Sequence, residues 1–372
     1  MSVHSLWERI RGHDETIGRL RGVIDRSRPA HAYLFFGPRG VGKAKTALAF
    51  AAALNCTQGV VACGVCESCR AIQNHTHPDV HFIEPDGAHE ILIAQVRELI
   101  HAVNMKKSPG NYKVAIIDDA HLLRQEAANA LLKTLEEPHE GIIFVLVATS
   151  VARMLATIAS RCQRVVFGAL APATVRAILV DDHGIDPATA GLAARLAHGM
   201  VGEAIELASS ELLSRRGDIL RDLLIEPDVN RLVELVSGLI ASVKAGSVSV
   251  KQANDAKLDE LKGFLGDSSK GLIRQVEARQ KRELGRLEQR GYRQILLVLA
   301  SLYRDVLIVS EDVDDRFVAN SDLIAEVRRA RATTAQVRSA VAGIEEAGRR
   351  LQQNVSPLLT FENLFLTLEA VA

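Results

Sequence analysis

The stretch Gly37-Pro38-Arg39-Gly40-Val41-Gly42-Lys43 follows the spacing G-x-x-x-x-G-K. Glycines let a backbone wrap close around phosphate so that its amides point inward. Lys43 then supplies a point charge for β- and γ-phosphates. The next position, where a hydroxyl would hold Mg²⁺, is Ala44. Thr46 lies two residues on, about 200° round a helix, and cannot substitute for that hydroxyl. The loop therefore reads as an ATP site that is either working or degenerate. Asp118 and Asp119 close the apolar run Val114–Ile117. A carboxylate delivered by such a strand end serves the metal of a nucleotide site. Thr149 closes a third run, Ile142–Ala148, where a polar side chain can sit beside a γ-phosphate.

Four cysteines, Cys56, Cys63, Cys66 and Cys69, form C-x6-C-x2-C-x2-C. C-x2-C pairs bend a chain around one ion, and zinc takes four thiolates in a tetrahedron. An iron–sulfur run would place its fourth cysteine at 73, which is Gln73. Four cysteines leave no open position, so a structural ion is expected rather than a catalytic one. The module is expected to be a surface excursion, with His75, His77 and His81 as ordinary surface histidines. Cys162 reads as a small buried apolar residue.

These residues need elements to hold them. Residues 1–30 read as a polar helical stretch. Ala32–Phe36 is a short aromatic-rich strand running into the glycine loop, and Ala44–Leu54 is a strong helix former. Strand, glycine loop and helix are the context a phosphate loop requires. Val80–Ile83, Val114–Ile117 and Ile142–Ala148 read as further strands, with helices near 91–104 and 125–136 between them. Alternating strands and helices imply a parallel α/β sheet. After about residue 168 the strand signal ends, and helices are expected at 172–182, 187–197, 202–225 and 229–242. Val250–Arg290 is rich in charge and glycine and reads as a solvated helix pair or partly mobile loop. Arg293–Val306 is one strongly apolar helix, expected at an interface rather than a ligand site.

Whole-chain composition narrows the class. A chain of 372 residues exceeds one ordinary domain. Hydrophobic residues at 48% and charged residues at 24% exclude wholesale disorder. Lys+Arg and Asp+Glu both number 45, which opposes a protein that coats nucleic acid alone. No run of eighteen apolar residues appears, so no membrane span is expected. The first residues lack an apolar signal core, so a cytoplasmic address with reduced cysteines is expected.

Several segments together resemble one family, the AAA+ clamp-loader subunits of bacterial DNA polymerase III. They are His31–Lys43, the cysteine module, Lys113–Asp119, His121-Leu122-Leu123, Glu126–Pro138 and Ala156–Cys162. The resemblance is specific over 1–168, weaker through a lid to about 210, and weaker again beyond. Asn354–Leu368 looks like the last helix of the family's collar. The resemblance implies an AAA+ P-loop core over 1–168, with a zinc module at about 55–72. A helical lid over 169–210 and a helical collar, or oligomerisation domain, over 211–372 follow. In the family, Ser160-Arg161-Cys162 matches a motif whose arginine reaches the neighbouring subunit's ATP. Such a trans finger is worth about 10³–10⁵ in rate.

The resemblance also distinguishes roles. Motor subunits, gamma and tau, should carry Ser or Thr after the loop lysine, an Asp-Glu pair, and a lid arginine. Here those positions are Ala44, Asp119 and Glu203. A delta subunit would lack both the phosphate loop and the arginine motif. The implied role is a non-hydrolysing stator with no polymerase chemistry of its own. Its implied partners are gamma/tau and delta, with the sliding clamp and primer-template DNA reached through the complex. Its implied cofactors are structural Zn²⁺ and an ATP/Mg²⁺ held passively or not at all. The rival reading is an active ATPase motor using Lys43, Asp118 and Asp119. A stand-alone zinc protein on nucleic acid is opposed by the zero net charge and the lack of an aromatic–basic run.

Overall fold

In the computed structural model the chain is described at residues 5–26, 28–58, 62–85, 90–105, 112–225, 229–265, 270–330, 332–353 and 355–369. Asn354, singled out above, lies outside the described residues. The chain forms two compact units, Met1–Asp182 with His198–Gly202, and His183–Ala197 with Glu203–Ala372.

The first unit is built on a sheet whose central strands are buried on both faces. The strands are β1 (Ala32–Phe36), β2 (Val80–Ile83), β3 (Lys113–Ile117), β4 (Ile142–Ala148) and β5 (Gln163–Val166). All neighbours pair in parallel, in the order β2-β3-β4-β1-β5. Side chains alternate between faces along a strand. Tyr33, Phe35, Val114, Ile116, Val145 and Val147 therefore enter one core, and Leu34, Ala115, Ile117, Phe144 and Leu146 the other. Such two-sided burial explains why these strands read as unbroken apolar runs rather than as alternation.

Helices α1 (Asp14–Asp25), α2 (Lys43–Asn55) and α3 (Glu67–Gln73) supply buried residues to the first core. Helices α4 (Ile93–Asn104), α5 (Gln125–Glu136) and α6 (Ala156–Ala159) supply the second. The few aromatics are concentrated in the first core. Tyr33 meets Phe50 edge-on at 5.1 Å, and Phe35 meets Phe167 at 5.3 Å. Helix α5 buries Ala127, Ala128, Leu131 and Leu135 on one face and stops before Pro138.

Three expectations need correction here. Residues 1–30 are not one polar helix: α1 begins only at Asp14, and Leu6, Trp7 and Ile10 are buried in turns before it. Ala62 holds that segment, its carbonyl accepting from Leu6 N–H and the Ser5 hydroxyl. Strand β5 was not expected. Three of its four residues are exposed, as suits an edge strand, so it carries no apolar run. The expected helix at 229–242 also runs much further.

The second unit is helical among its described residues. Helix α7 (Pro172–His183) leads into it. Then come α8 (Pro187–Leu196), α9 (Val201–Ala208), α10 (Leu212–Leu220), α11 (Val229–Leu265) and α12 (Lys270–Ser310). Short α13 (Ile324–Val327), α14 (Thr334–Gln352) and α15 (Pro357–Glu369) follow. The described residues of the charged 250–290 stretch thus belong to α11 and α12, while 266–269 lie outside the described residues. Asp305, fully buried on α12, accepts from the backbone of Ala319 and Asn320 and from the Asn320 side chain. This ties the loop after α12 to the helix.

Val233–Ala256 of α11 is long and apolar enough to cross a membrane by length and composition, where the sequence reading expected no such segment. Its Leu235, Val236, Leu239 and Ile240 are buried within the second unit, and Glu234, Lys244, Lys251 and Asp255 interrupt it. This is the pattern of a core helix with a wet face.

The start of the phosphate loop depends on one glycine. Gly37 has φ +149°, and a Cβ there would lie 2.0 Å from the Phe167 carbonyl oxygen. Gly42 has φ +96° but open space around it. Gly37→Ala is expected to destabilise the chain by about 2–4 kcal/mol through that clash, and Gly42→Ala by about 1–2 kcal/mol from backbone strain alone. Urea unfolding of the two variants would measure the difference.

Candidate functional site

The carboxyl ends of three adjacent strands converge. Strand β1 delivers the glycine loop, its neighbour β4 delivers Thr149, and β3 beyond it delivers Asp118. This is the edge where parallel α/β sheets take their ligands.

Gly42, in the left-handed region, caps the N-terminus of α2, and Lys43 is the helix's first residue. Lys43 is buried, and its ammonium donates to the Gly37 and Pro38 carbonyls at 2.9 and 2.5 Å. Burial lowers the pKa of Lys43, against the pull of Asp118 and Asp119. The loop's own backbone thus occupies the lysine. Within the first unit, the Gly202 N–H donates to the Gly40 carbonyl at 3.2 Å. The Thr46 hydroxyl donates back to the Gly42 carbonyl at 2.9 Å.

Asp118 is mostly buried, and burial together with the charge of Asp119 pushes its carboxyl up to about 6. The Asp119 N–H donates to it at 2.9 Å. Asp119 itself takes a left-handed backbone at φ 46°. That turn directs its carboxylate to Arg39 of the loop at 3.0 Å. Burial lowers the pKa of His121, whose Nδ1 lies 4.0 Å from Asp119. The Thr149 hydroxyl is buried and unpartnered among the described residues, so it is available to a ligand. Sequence reasoning missed Arg39 and His121, because nothing in their spacing marks them as partners of Asp119.

The four cysteine sulfurs all lie within 4.8 Å of one another. Cys63 and Cys69 Sγ are 3.9 Å apart. Four thiolates around one ion at ~2.3 Å require edges of about 3.8 Å, so the cluster fits a tetrahedral metal. The Cys66 N–H points to Cys63 Sγ and the Cys69 N–H to Cys66 Sγ, both at 3.3 Å, which suits sulfurs carrying negative charge. Burial raises the Cys66 thiol, but hydrogen bonds from Thr57 and Cys69 outweigh it and bring it down to about 6. Burial pushes Cys69 up, and Cys66 and Cys56 add to the effect.

The module is not a surface excursion. Ala62, Cys63, Cys66, Cys69 and Ile72 are buried in the first core. His77 is not a surface residue either. It is buried, within 3.1 Å of the Ser68 hydroxyl through Nε2, and Nδ1 accepts from Asp79 N–H. His81 Nε2 is buried without a partner among the described residues, and His75 packs on the Phe82 ring at 4.6 Å. Cys162 is buried as expected, and burial pushes its thiol up to about 12, which leaves it unreactive.

Arg161 stands apart from both clusters. It lies in the three-residue link between α6 and the edge strand β5. Its guanidinium reaches outward, bonded to Glu136 at 2.6 Å and to the Thr157 carbonyl at 2.9 Å. Glu203 is buried and faces Arg293 of α12 at 3.4 Å within the second unit.

A parallel sheet with a glycine loop at the end of β1 and an acid at the end of β3 defines a P-loop nucleotide-binding-type domain. Residues 12–171 match the family model described as DNA polymerase III, delta subunit. The tau subunit of Escherichia coli (strain K12) DNA polymerase III is 36% identical over 215 residues, 56% of this chain and 33% of that protein. The chain therefore spans about a third of that relative's length. The delta' subunit of Bacillus subtilis (strain 168) is 28% identical over 353 residues, 94% of each chain. A solved DNA polymerase III gamma subunit-related protein from Thermotoga maritima covers 96% of this chain and 99% of its own, at 16% identity and TM-score 0.46.

Two measurements follow from the site. The raised Asp118 carboxyl means the folded state holds its proton more tightly than the unfolded chain does. Ionisation therefore lowers stability as pH climbs from about 4 to about 6, and the loss is complete above that. Asp118→Asn is expected to stabilise the chain by about 1–3 kcal/mol at pH 8 and to be neutral near pH 4, read by urea unfolding at each pH. The cysteine cluster is expected to hold one metal ion per chain by elemental analysis. Cys69→Ser should lower that content and the thermal midpoint together.

Proposed function

We propose that this chain is a delta-prime-like stator subunit of the DNA polymerase III clamp loader. It would help load the sliding clamp on primed DNA in the bacterial cytoplasm and hydrolyse little or no ATP itself. The observation that carries this reading is Ala44, which follows the loop lysine Lys43 and offers no hydroxyl to Mg²⁺. Asp119 is held by Arg39 rather than left free to polarise water. The near full-length match to a delta' subunit supports the same assignment.

In this reading Arg161 is the chain's chemical contribution. Its guanidinium, exposed at the sheet edge, meets the γ-phosphate bound by the neighbouring motor subunit and stabilises the charge that develops there. Gly37, Gly40, Gly42, Lys43, Asp118, Asp119 and Thr149 form a degenerate nucleotide site. Cys56, Cys63, Cys66 and Cys69 hold a structural Zn²⁺ that fixes the module on the core. Residues 1–168 act as the AAA+ core, 169–210 as its lid and 211–372 as the collar. The partners are gamma/tau and delta, with clamp and primer-template DNA engaged through the complex.

A second reading is an active gamma/tau-like motor. Intact Lys43 and Asp118 and the 36% identity to tau favour it. Turnover of Mg·ATP separates the two. The stator reading expects none from the purified chain, and loader ATPase reduced at least a hundredfold by Arg161→Ala. Robust turnover by the chain alone would replace it with the motor reading.

A further inference from the structure

Arg161 is not idle in the isolated chain. Nη2 donates to Glu136 at 2.6 Å and Nη1 to the Thr157 carbonyl at 2.9 Å. Both charged side chains remain reachable, at 36% and 49% exposure. Glu136 is the last residue of α5, the helix that starts just after the Asp118–Asp119 strand end. A carboxylate and a phosphoryl group offer a guanidinium the same kind of acceptor, oxygens carrying shared negative charge.

We propose that Glu136 is a positioning residue that parks Arg161, and that the finger engages its neighbour's phosphate by exchanging one anion for the other. The proposal rests on the trans-finger reading above and adds its regulation. Parking keeps a long side chain ordered near its target, so less rotamer entropy is lost when the phosphate arrives. It also opposes engagement until the phosphate is well placed. An exposed pair is weak enough for such exchange to be reversible. Because Glu136 ends α5, any shift of that helix moves the parking group relative to the anchored Arg161. Thr157 keeps its hold on Nη1 throughout, because the α6 end and β5 fix the backbone on either side.

The test uses the reconstituted loader carrying wild-type, Glu136→Gln, Glu136→Asp or Arg161→Ala chains. ATP turnover is read with and without clamp and DNA. Glu136→Gln is expected to raise basal kcat about two- to fivefold with KM unchanged, and to shrink the stimulation by clamp and DNA in proportion. Glu136→Asp should restore most of the wild-type ratio. In the full-length chain alone, the Arg161 side-chain N–H signals should exchange faster with water in Glu136→Gln, at an unchanged thermal midpoint. Basal kcat that stays level or falls in Glu136→Gln, while Arg161→Ala cripples the loader, would overturn the parking role alone. Full activity with Arg161→Ala would overturn the finger and the parking together.

Discussion

The parallel pairing of β1 with β5 is the constraint on which both ends of this site depend. Strand β1 ends in the glycine loop, and β5 begins two residues after Arg161. The register Tyr33–Gln163 through Phe36–Val166 fixes where each lies. Phe167 continues the pairing by donating its N–H to the Phe36 carbonyl at 2.8 Å. Its own carbonyl then closes on Gly37, so only a residue without a side chain can start the loop. The rod that presents the arginine is therefore the same rod that bounds the phosphate loop. Displacing β5 would disturb both, although they lie at opposite ends of it.

The phosphate loop has every large feature of a nucleotide site and lacks the small ones. The backbone turn, the buried lysine and the strand-end acid are all in place. Burial works against the charge of both groups, lowering Lys43 and raising Asp118. A site built this way is held at a cost that bound counter-charges would remove. Here Lys43 is satisfied by carbonyls and Asp119 by Arg39 instead. The missing hydroxyl at Ala44 and the shortened acid at Asp119 are one-group changes that leave the fold intact.

Much of this was legible in the sequence because two-sided burial writes itself as apolar runs. Strands β1 to β4, the glycine loop, the converging acids and the four-cysteine spacing could all be read directly. Strand β5 could not, since Gln163, Arg164 and Val166 face solvent and an edge strand needs no apolar pattern. The burial of the cysteine module was hidden for a different reason. Thiols pack as small apolar groups, and nothing in the spacing says that Leu6, Trp7 and Ile10 share its core. The Glu136–Arg161 pair was hidden by distance, its members lying 25 positions apart.

Glu203 shows how a departure from a pattern can be misread as a simple loss. In the sequence it stands where a motor subunit should carry an arginine. In the second unit it is buried against α12, facing Arg293 at 3.4 Å. One turn along α9, Glu206 accepts from Arg290 at 3.2 Å and Gln294 at 3.3 Å. Burial raises the pKa of Glu206, and those partners oppose the rise. The two acids on α9 thus match Arg290, Arg293 and Gln294 on α12, giving an ionic rail between the helices. An arginine at 203 would face Arg293 and set like charges together, which opposes that packing. Glu203 thus has a structural task of its own, fastening α9 to α12.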